Sequence, residues 1–370
     1  MNKQILNGWI QITNRCNLNC KYCYMNANKD RTDMDLDKFY HVVNEFKTLN
    51  IQNVMLSGGE PCLNLNFLQM IEYLYLQGFH VGLVTNGTIL TDDLLSSLKK
   101  NKVNVQVSID SINYDTYLQS RGVDKINQVI DNIRQISQST IDLSLSSTLN
   151  NITINDLESV VSFALENQIY TLHYGFLVPS DRCKNYNLTM SNVLVALNRL
   201  YEIQLEKYLH LQIDFVENYV RNIISEDKNP YFCNSMACKN IEILPNGDIY
   251  QCGAFLSMKE NKKNKINIFE LQNQELTKIL DRNWKPIGIC DLPECSICNE
   301  RFICKGGCRA ISYQTSGDLY KKQPMCNEFK TFIQAIISDY KKGRLAHYIQ
   351  YLKLIDKSQV YDDNSYVKYF

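Results

Sequence analysis

The sequence predicts an α/β fold, a partial (β/α)6 TIM barrel followed by a cysteine-rich domain and C-terminal helices, and three observations carry that prediction. From residue 7 to about 210, short β-rich runs alternate with amphipathic stretches, the pattern of βα units around a parallel sheet. The runs themselves alternate apolar and polar side chains. After Ile224 the chain turns cysteine-rich and turn-rich up to about residue 330. The domains therefore read as 1–224 for the barrel, 225–330 for the cysteine-rich part and 331–370 for a helical tail that ends in tyrosines.

Six units are expected. Strands fall at Trp9 to Thr13, Val54 to Ser57, His80 to Thr85, Val103 to Ile109, Ile141 to Thr148 and Thr171 to Val178. Helices fall near residues 35–49, 64–77, 91–100, 124–138, 153–167 and 189–209. In the fourth strand Val103, Val105, Val107 and Ile109 share one face, and Asn104, Gln106, Ser108 and Asp110 the other. The fifth repeats this, with Ile141, Leu143 and Leu145 opposite Asp142, Ser144 and Ser146. Parallel strands buried on both faces read as continuous apolar runs. A polar inner face therefore implies an open barrel whose lumen holds a polar ligand.

Composition narrows the classes of function. Lysine plus arginine equals aspartate plus glutamate at 39 each, and no basic stripe interrupts that balance, so nucleic acid is not an expected partner. The lysine-rich stretch at 259–265 reads as a solvated loop. No apolar run of about 18 residues is present and the N-terminus lacks a signal-peptide pattern, so neither membrane insertion nor export is expected. A cytoplasmic location follows as the expectation. In that reducing compartment 14 cysteines argue for metal ligation or redox chemistry over disulfides.

Cys16, Cys20 and Cys23 stand at Cys-x3-Cys-x2-Cys directly after the first strand, with Tyr22 before the third and no fourth cysteine nearby. Iron–sulfur clusters normally take four thiolates. Three would leave one iron open to a ligand that is not protein. The triplet belongs to the C-terminal rim of the barrel, where βα loops build active sites. The same rim receives Ser57-Gly58-Gly59-Glu60-Pro61 from strand two, Thr85-Asn86-Gly87 from strand three and Ser108-Ile109-Asp110 from strand four. Adjacent glycines let backbone approach a ligand, Glu60 can pair with an ammonium group, and Arg121, in the loop that follows, can clamp a carboxylate.

Together these motifs resemble the radical S-adenosylmethionine (SAM) superfamily over roughly residues 7–210. The resemblance implies a 4Fe-4S cluster on Cys16, Cys20 and Cys23 whose open iron chelates S-adenosylmethionine, reductive cleavage to a 5'-deoxyadenosyl radical, and hydrogen abstraction from a substrate. It implies that Gly58, Gly59 and Glu60 meet the methionyl amine, Arg121 and Ser108 its carboxylate, and Asn86 and Asp110 the ribose region, with Tyr22 near the adenine.

The second domain carries Cys295, Cys298, Cys304 and Cys308 at Cys-x2-Cys-x5-Cys-x3-Cys, with Cys326 downstream and Cys238 and Cys252 upstream. A chance match to the four-cysteine core is of order one in a thousand, so the spacing marks a site. It resembles the SPASM extension, an auxiliary-cluster domain of radical enzymes. That resemblance implies two more 4Fe-4S clusters, one on Cys233, Cys238, Cys252 and Cys308 and one on Cys295, Cys298, Cys304 and Cys326. Zinc is the alternative that Cys-x2-Cys pairs leave open.

Three cysteines remain. Cys62 reads as a small core residue, Cys183 as a candidate catalytic hydrogen donor on the barrel rim, and Cys290 as a spare ligand if Cys233 is not one. His173 and Tyr174 are candidates for the lumen, with a satisfied core histidine the plainer reading.

The resemblance implies a maturase acting on a ribosomally made peptide, installing a thioether or carbon–carbon crosslink. Its implied partners are the peptide and a flavodoxin- or ferredoxin-like electron donor, with leader recognition, in place of a winged-helix module, left to a separate leader-binding protein, to the C-terminal tail or to neither. Alternatives are a small-molecule dehydrogenase, a peptide epimerase using Cys183, an anaerobic sulfatase maturase, and a non-catalytic iron–sulfur or zinc module. The sulfatase maturases carry an aspartate where this chain has Gly253, which disfavours that reading.

Overall fold

The computed structural model describes residues 5–359 apart from 29, 181, 184–188, 209, 226–227, 257–265 and 272–274. The lysine-rich stretch and the tyrosine-rich end of the tail lie outside the described residues. Nine strands form one sheet in the order β7-β6-β5-β4-β3-β2-β1-β8-β9. Strands β1 (Asn7–Thr13), β2 (Asn53–Gly58), β3 (His80–Thr85), β4 (Asn104–Ser108), β5 (Leu143–Leu149), β6 (Thr171–Phe176) and β7 (Gln212–Ile213) are parallel neighbours in chain order.

The crossovers are α1 (Leu36–Thr48), α2 (Phe67–Leu76), α3 (Asp92–Lys100), α4 (Tyr114–Arg121), α5 (Ile126–Ser137), α6 (Leu157–Glu166) and α7 (Met190–Glu202), with α8 (Asp214–Ile224) after β7. The cysteine-rich segment adds β8 (Asn240–Ile243), which pairs parallel to β1, and β9 (Ile249–Tyr250), antiparallel to β8. It continues through α9 (Glu275–Asn283), α10 (Pro293–Ser296), α11 (Arg301–Cys304) and α12 (Arg309–Ser316) to the terminal α13 (Cys326–Lys341) and α14 (Ala346–Gln359).

The sequence reading locates all six major strands within two residues, and it misses α4, β7 and α8. The helix expected over 189–209 ends as α-helix at Glu202 and continues as a π-turn over Ile203–Lys207. β7 has only two residues, too short to show a period.

Register fixes which face is which. Directly paired residues on neighbouring strands point the same way, and Gly8, Val54 and Val81 are paired, as are Val105 and Leu143, and Leu145 and Leu172. These positions join the helix-covered core with Phe39, Phe46, Met70 and Ile133. The opposite face carries Trp9, Gln11, Ser57, Gln106, Ser108, Ser144, Ser146, His173 and Glu242. This is the polar lumen that strand alternation predicts. His173 lies on it and pairs with Asp214 at 3.0 Å, whereas Tyr174 faces the core and donates to the Leu157 carbonyl at 3.1 Å.

The C-terminal helices cover the barrel edge at β6. Phe329 of α13 packs edge-on to Phe176 and Phe215, and Phe332 to Tyr201 and Tyr219. Burying an aromatic of this size contributes roughly 1.5–3 kcal/mol. Arg221 ties α8 to α14 through Asp356 at 3.0 Å.

Candidate active site at the barrel rim

Every parallel strand ends on the same rim, and the loop after β1 carries the cysteine triplet. Asn28 pins the start of that loop, with its Oδ1 accepting from the Cys16 amide and its Nδ2 donating to the Cys16 carbonyl, both at 2.8 Å. The far side of the loop is held by α4, because the amides of Asn19 and Lys21 donate to the carbonyls of Arg121 and Ser120 at 3.0 Å. Gly122 makes that docking possible. Its φ is +75°, and a Cβ there would stand 2.5 Å from the Asn19 carbonyl oxygen. Arg121 is thus the last residue of a helix rather than part of a loop, as the sequence reading had it.

Beneath the triplet lies a buried charge network. Asp110 has no exposed side-chain surface, and its Oδ2 pairs with Arg121 Nε at 2.7 Å and accepts the Tyr22 hydroxyl. Its Oδ1 accepts the Thr148 amide at 2.9 Å. The guanidinium lies 5.7 Å from the Tyr22 ring centre, and its Nη1 reaches Cys20 Sγ at 4.0 Å. Asp110, Arg121 and Tyr22 therefore brace one another and the cluster loop.

The SGGEP turn has a structural reason of its own. A Cβ at Gly58, whose φ is +140°, would meet the Thr13 carbonyl at 2.1 Å, and one at Gly59 the Arg15 carbonyl at 2.2 Å. Glu60 is fully buried. It accepts from the Thr85 hydroxyl and the Asn86 amide at 2.8 Å and from the Cys62 amide at 3.2 Å, linking the ends of β2 and β3. Asn86 in turn donates to Asn17 at 2.9 Å and lies 3.8 Å from Cys16 Sγ. Ser108 faces the lumen and accepts from Ser146 at 3.3 Å.

Cys183 is fully buried and packs with Tyr22 and Leu177, with Cys20 against them. Its sulfur accepts the Ser180 amide at 2.7 Å and lies 3.3 Å from the Ser180 carbonyl. Cys62 packs against the main core, and Cys290 is exposed.

The donor set of the triplet fits an iron–sulfur cluster. Three thiols share one loop, with the Leu18 amide 3.5 Å from Cys16 Sγ and a guanidinium beside Cys20. Burial pushes the Cys16 thiol up to about 11 and raises that of Cys20 too, so thiolates here need a cation such as iron beside them.

The C-terminal cysteines fall into two electrostatic groups. Cys252 feels Cys233 and Cys308, while Cys304 feels Cys326, Cys295 and Cys298. Cys238 is buried beside Ile5, Leu49, Leu280 and Trp284 and accepts from the Gln251 amide at 3.0 Å. Among the described residues no three His, Cys, Asp or Glu side chains converge tightly enough to hold a single metal ion. Cys298 donates to Glu300, which Gln334 and Lys330 of α13 also hold, so the second group is tied to the helix that Cys326 begins.

Between the triplet and the first group stands Glu242, which sequence reasoning missed. Its carboxylate accepts from Gln11 of β1 and abuts Gly253, where a Cβ would sit 2.6 Å from Oε1. Tyr24 is within electrostatic reach of Cys23, Glu242 and Cys252 together. The wall that lacks an aspartate at 253 therefore holds a carboxylate supplied from β8. The only trace in the sequence is a charged residue between Ile241 and Ile243, and the pairing of β8 with β1 has no local signature.

Burial pushes Glu242 up to about 7 from an ordinary 4.5. A carboxyl raised in the folded state stabilises fully below about pH 4.5, and that contribution is lost as the pH rises through about 7. The gap corresponds to about 3 kcal/mol. Glu242→Gln is expected to raise the thermal midpoint at pH 8 and to leave it nearly unchanged at pH 5. Equal shifts at both pH values would contradict this.

Residues 10–164 match the radical SAM superfamily. The chain carries a radical SAM domain. The AdoMet-dependent heme synthase of Methanosarcina barkeri is 24% identical over 335 residues, 85% of this chain and 94% of that protein. Among solved structures, native anSMEcpe with bound AdoMet superposes with a TM-score of 0.76 at 19% identity, covering 93% of this chain and 99% of that one. Streptococcus suis SuiB bound to precursor peptide SuiA gives 0.66 at 17% identity, with 88% and 76% covered. These likenesses establish the fold. The radical SAM domain spans β1 to α6, and all of its rim motifs named above lie within it. No helix of the described residues is long and apolar enough to cross a membrane.

Proposed function

We propose that this radical SAM enzyme is a SPASM-type peptide maturase, which cleaves S-adenosylmethionine reductively and installs a thioether or carbon–carbon crosslink in a ribosomally made peptide. The observation that carries the reading is the cysteine triplet on the rim of the polar lumen, in a chain whose C-terminal segment carries the further cysteines of the SPASM spacing. A cluster on Cys16, Cys20 and Cys23 would supply the electron that breaks the sulfonium. Gly58 and Gly59 are proposed to meet the methionyl amine, on a turn that buried Glu60 holds through its own hydrogen bonds, with Ser108 and Arg121 meeting the carboxylate and Asn86 the ribose.

Asp110 and Tyr22 act in this reading chiefly by bracing Arg121, since their polar atoms already serve that network. Glu242 would take the proton that leaves the substrate on the side of Cys252. Two auxiliary clusters, a flavodoxin- or ferredoxin-like donor, a separate leader-binding protein and a cytoplasmic location belong to the same proposal. The fold shared with SuiB, solved with its precursor peptide, favours a peptide substrate. The heme synthase relative favours the second reading, oxidation of a small molecule.

Anaerobic reconstitution with iron and sulfide tests the proposal. Three clusters correspond to about twelve irons per chain, and dithionite with S-adenosylmethionine is expected to yield 5'-deoxyadenosine. Fully loaded protein that forms none sinks the enzymatic reading. Co-expression with short peptides encoded beside this chain is expected to give a peptide lighter by two hydrogens. If every such peptide returns unchanged, the small-molecule reading stands instead.

A further inference from the structure

Among the described residues two arginines are deeply buried, and they differ in one respect. Arg121 has Asp110 at 2.7 Å. Arg309, 2% exposed, makes its contacts with main-chain carbonyls: Nε with Gly307 at 3.2 Å, Nη1 with Leu319 at 3.0 Å and Lys321 at 2.8 Å, and Nη2 with Gly306. Among the described residues no carboxylate lies within ion-pair distance of it. A guanidinium does not give up its proton in a protein, and a buried charge without a counter-charge is costly. Carbonyl dipoles offset part of that cost, and a net negative charge must supply the rest.

The guanidinium holds the carbonyls of Gly306 and Gly307, which lie between Cys304 and Cys308 in sequence, and the thiols of Cys295, Cys308, Cys304 and Cys233 are within its electrostatic reach. They come from both C-terminal groups. Cys295 and Cys304 belong with Cys298 and Cys326, and Cys308 and Cys233 belong with Cys252. Neutral thiols would leave the guanidinium uncompensated, whereas metal-bound thiolates would balance it.

Resting on the three-cluster reading above, we infer that Arg309 is the shared counter-charge of the two auxiliary cluster sites and favours their reduced forms. Reduction adds negative charge to a cluster, so a fixed cation within reach of both sites raises both potentials. Arg309 is in this sense a positioning residue, which acts on the clusters without touching the substrate.

The test uses the full chain, reconstituted anaerobically, with reductive titration followed by electron paramagnetic resonance. In Arg309→Gln both auxiliary sites are expected to be about tenfold harder to reduce, about 59 mV for a one-electron couple, while the triplet cluster stays within about twofold. Arg309→Lys, which keeps the charge, is expected to stay near the wild type. If Arg309→Gln fails to hold auxiliary iron while Arg309→Lys holds it, the counter-charge role is upheld. Loaded Arg309→Gln with unchanged potentials overturns it. So does equal loss of auxiliary iron from both variants, which would leave the residue as a cap for four carbonyls. Wild-type protein with iron at the triplet alone would remove the three-cluster reading before any variant is made.

Discussion

Cys20→Ala is expected to abolish 5'-deoxyadenosine formation, a loss of at least about three orders of magnitude or about 4 kcal/mol of barrier. Cys20 sits at the centre of the triplet's surroundings, near the Arg121 guanidinium and against the buried Tyr22 and Cys183 pair. Removing it leaves two thiols on the loop, too few to hold a cluster and present an open iron. The C-terminal cysteines belong to other elements, so iron analysis of the variant is expected to show loss of one cluster's share only. Turnover at more than a few per cent of wild type would show that the triplet is not the site of cleavage.

Asp110→Asn is expected to be the most destabilising single change at the rim, by about 3–5 kcal/mol, because it strands a buried guanidinium. Asparagine keeps a single acceptor oxygen, so it can hold either the Tyr22 hydroxyl or the Thr148 amide, and the loss combines the missing charge with one missing hydrogen bond. The double variant Asp110→Leu/Arg121→Met removes both charges and is expected to unfold at a higher temperature than Asp110→Asn. Thermal unfolding of wild type and both variants decides the matter. If the double variant is the less stable, the pair contributes its geometry and hydrogen bonds rather than charge balance.

Much of the barrel was legible because each signal was local. Val105, Gln106 and Val107 show a two-residue period within one strand, and the triplet, SGGEP and TNG are contiguous runs. Contacts between distant segments were illegible. Helix α4 has almost no amphipathic contrast, so Arg121 read as loop, and its placement depends on a docking against Asn19 that no periodicity announces. Glu242 and Arg309 owe their settings to the pairing of β8 with β1 and to the fold-back of residues 319–321. Glu60 was legible as important, but its three internal hydrogen bonds show a structural task that the motif alone conceals.

The pairing of β1 with β8 also bears on synthesis. Asn7 and Asn240 are directly paired in register and 233 residues apart. While a ribosome is still making the barrel, β1 can complete its ladder with β2 and must wait for β8 with its other edge unpaired. Such an edge invites association with other chains, and contacts of such long sequence separation form late. The nascent barrel is therefore most exposed to misassembly between the completion of β2 at Gly58 and the emergence of residues 240–243.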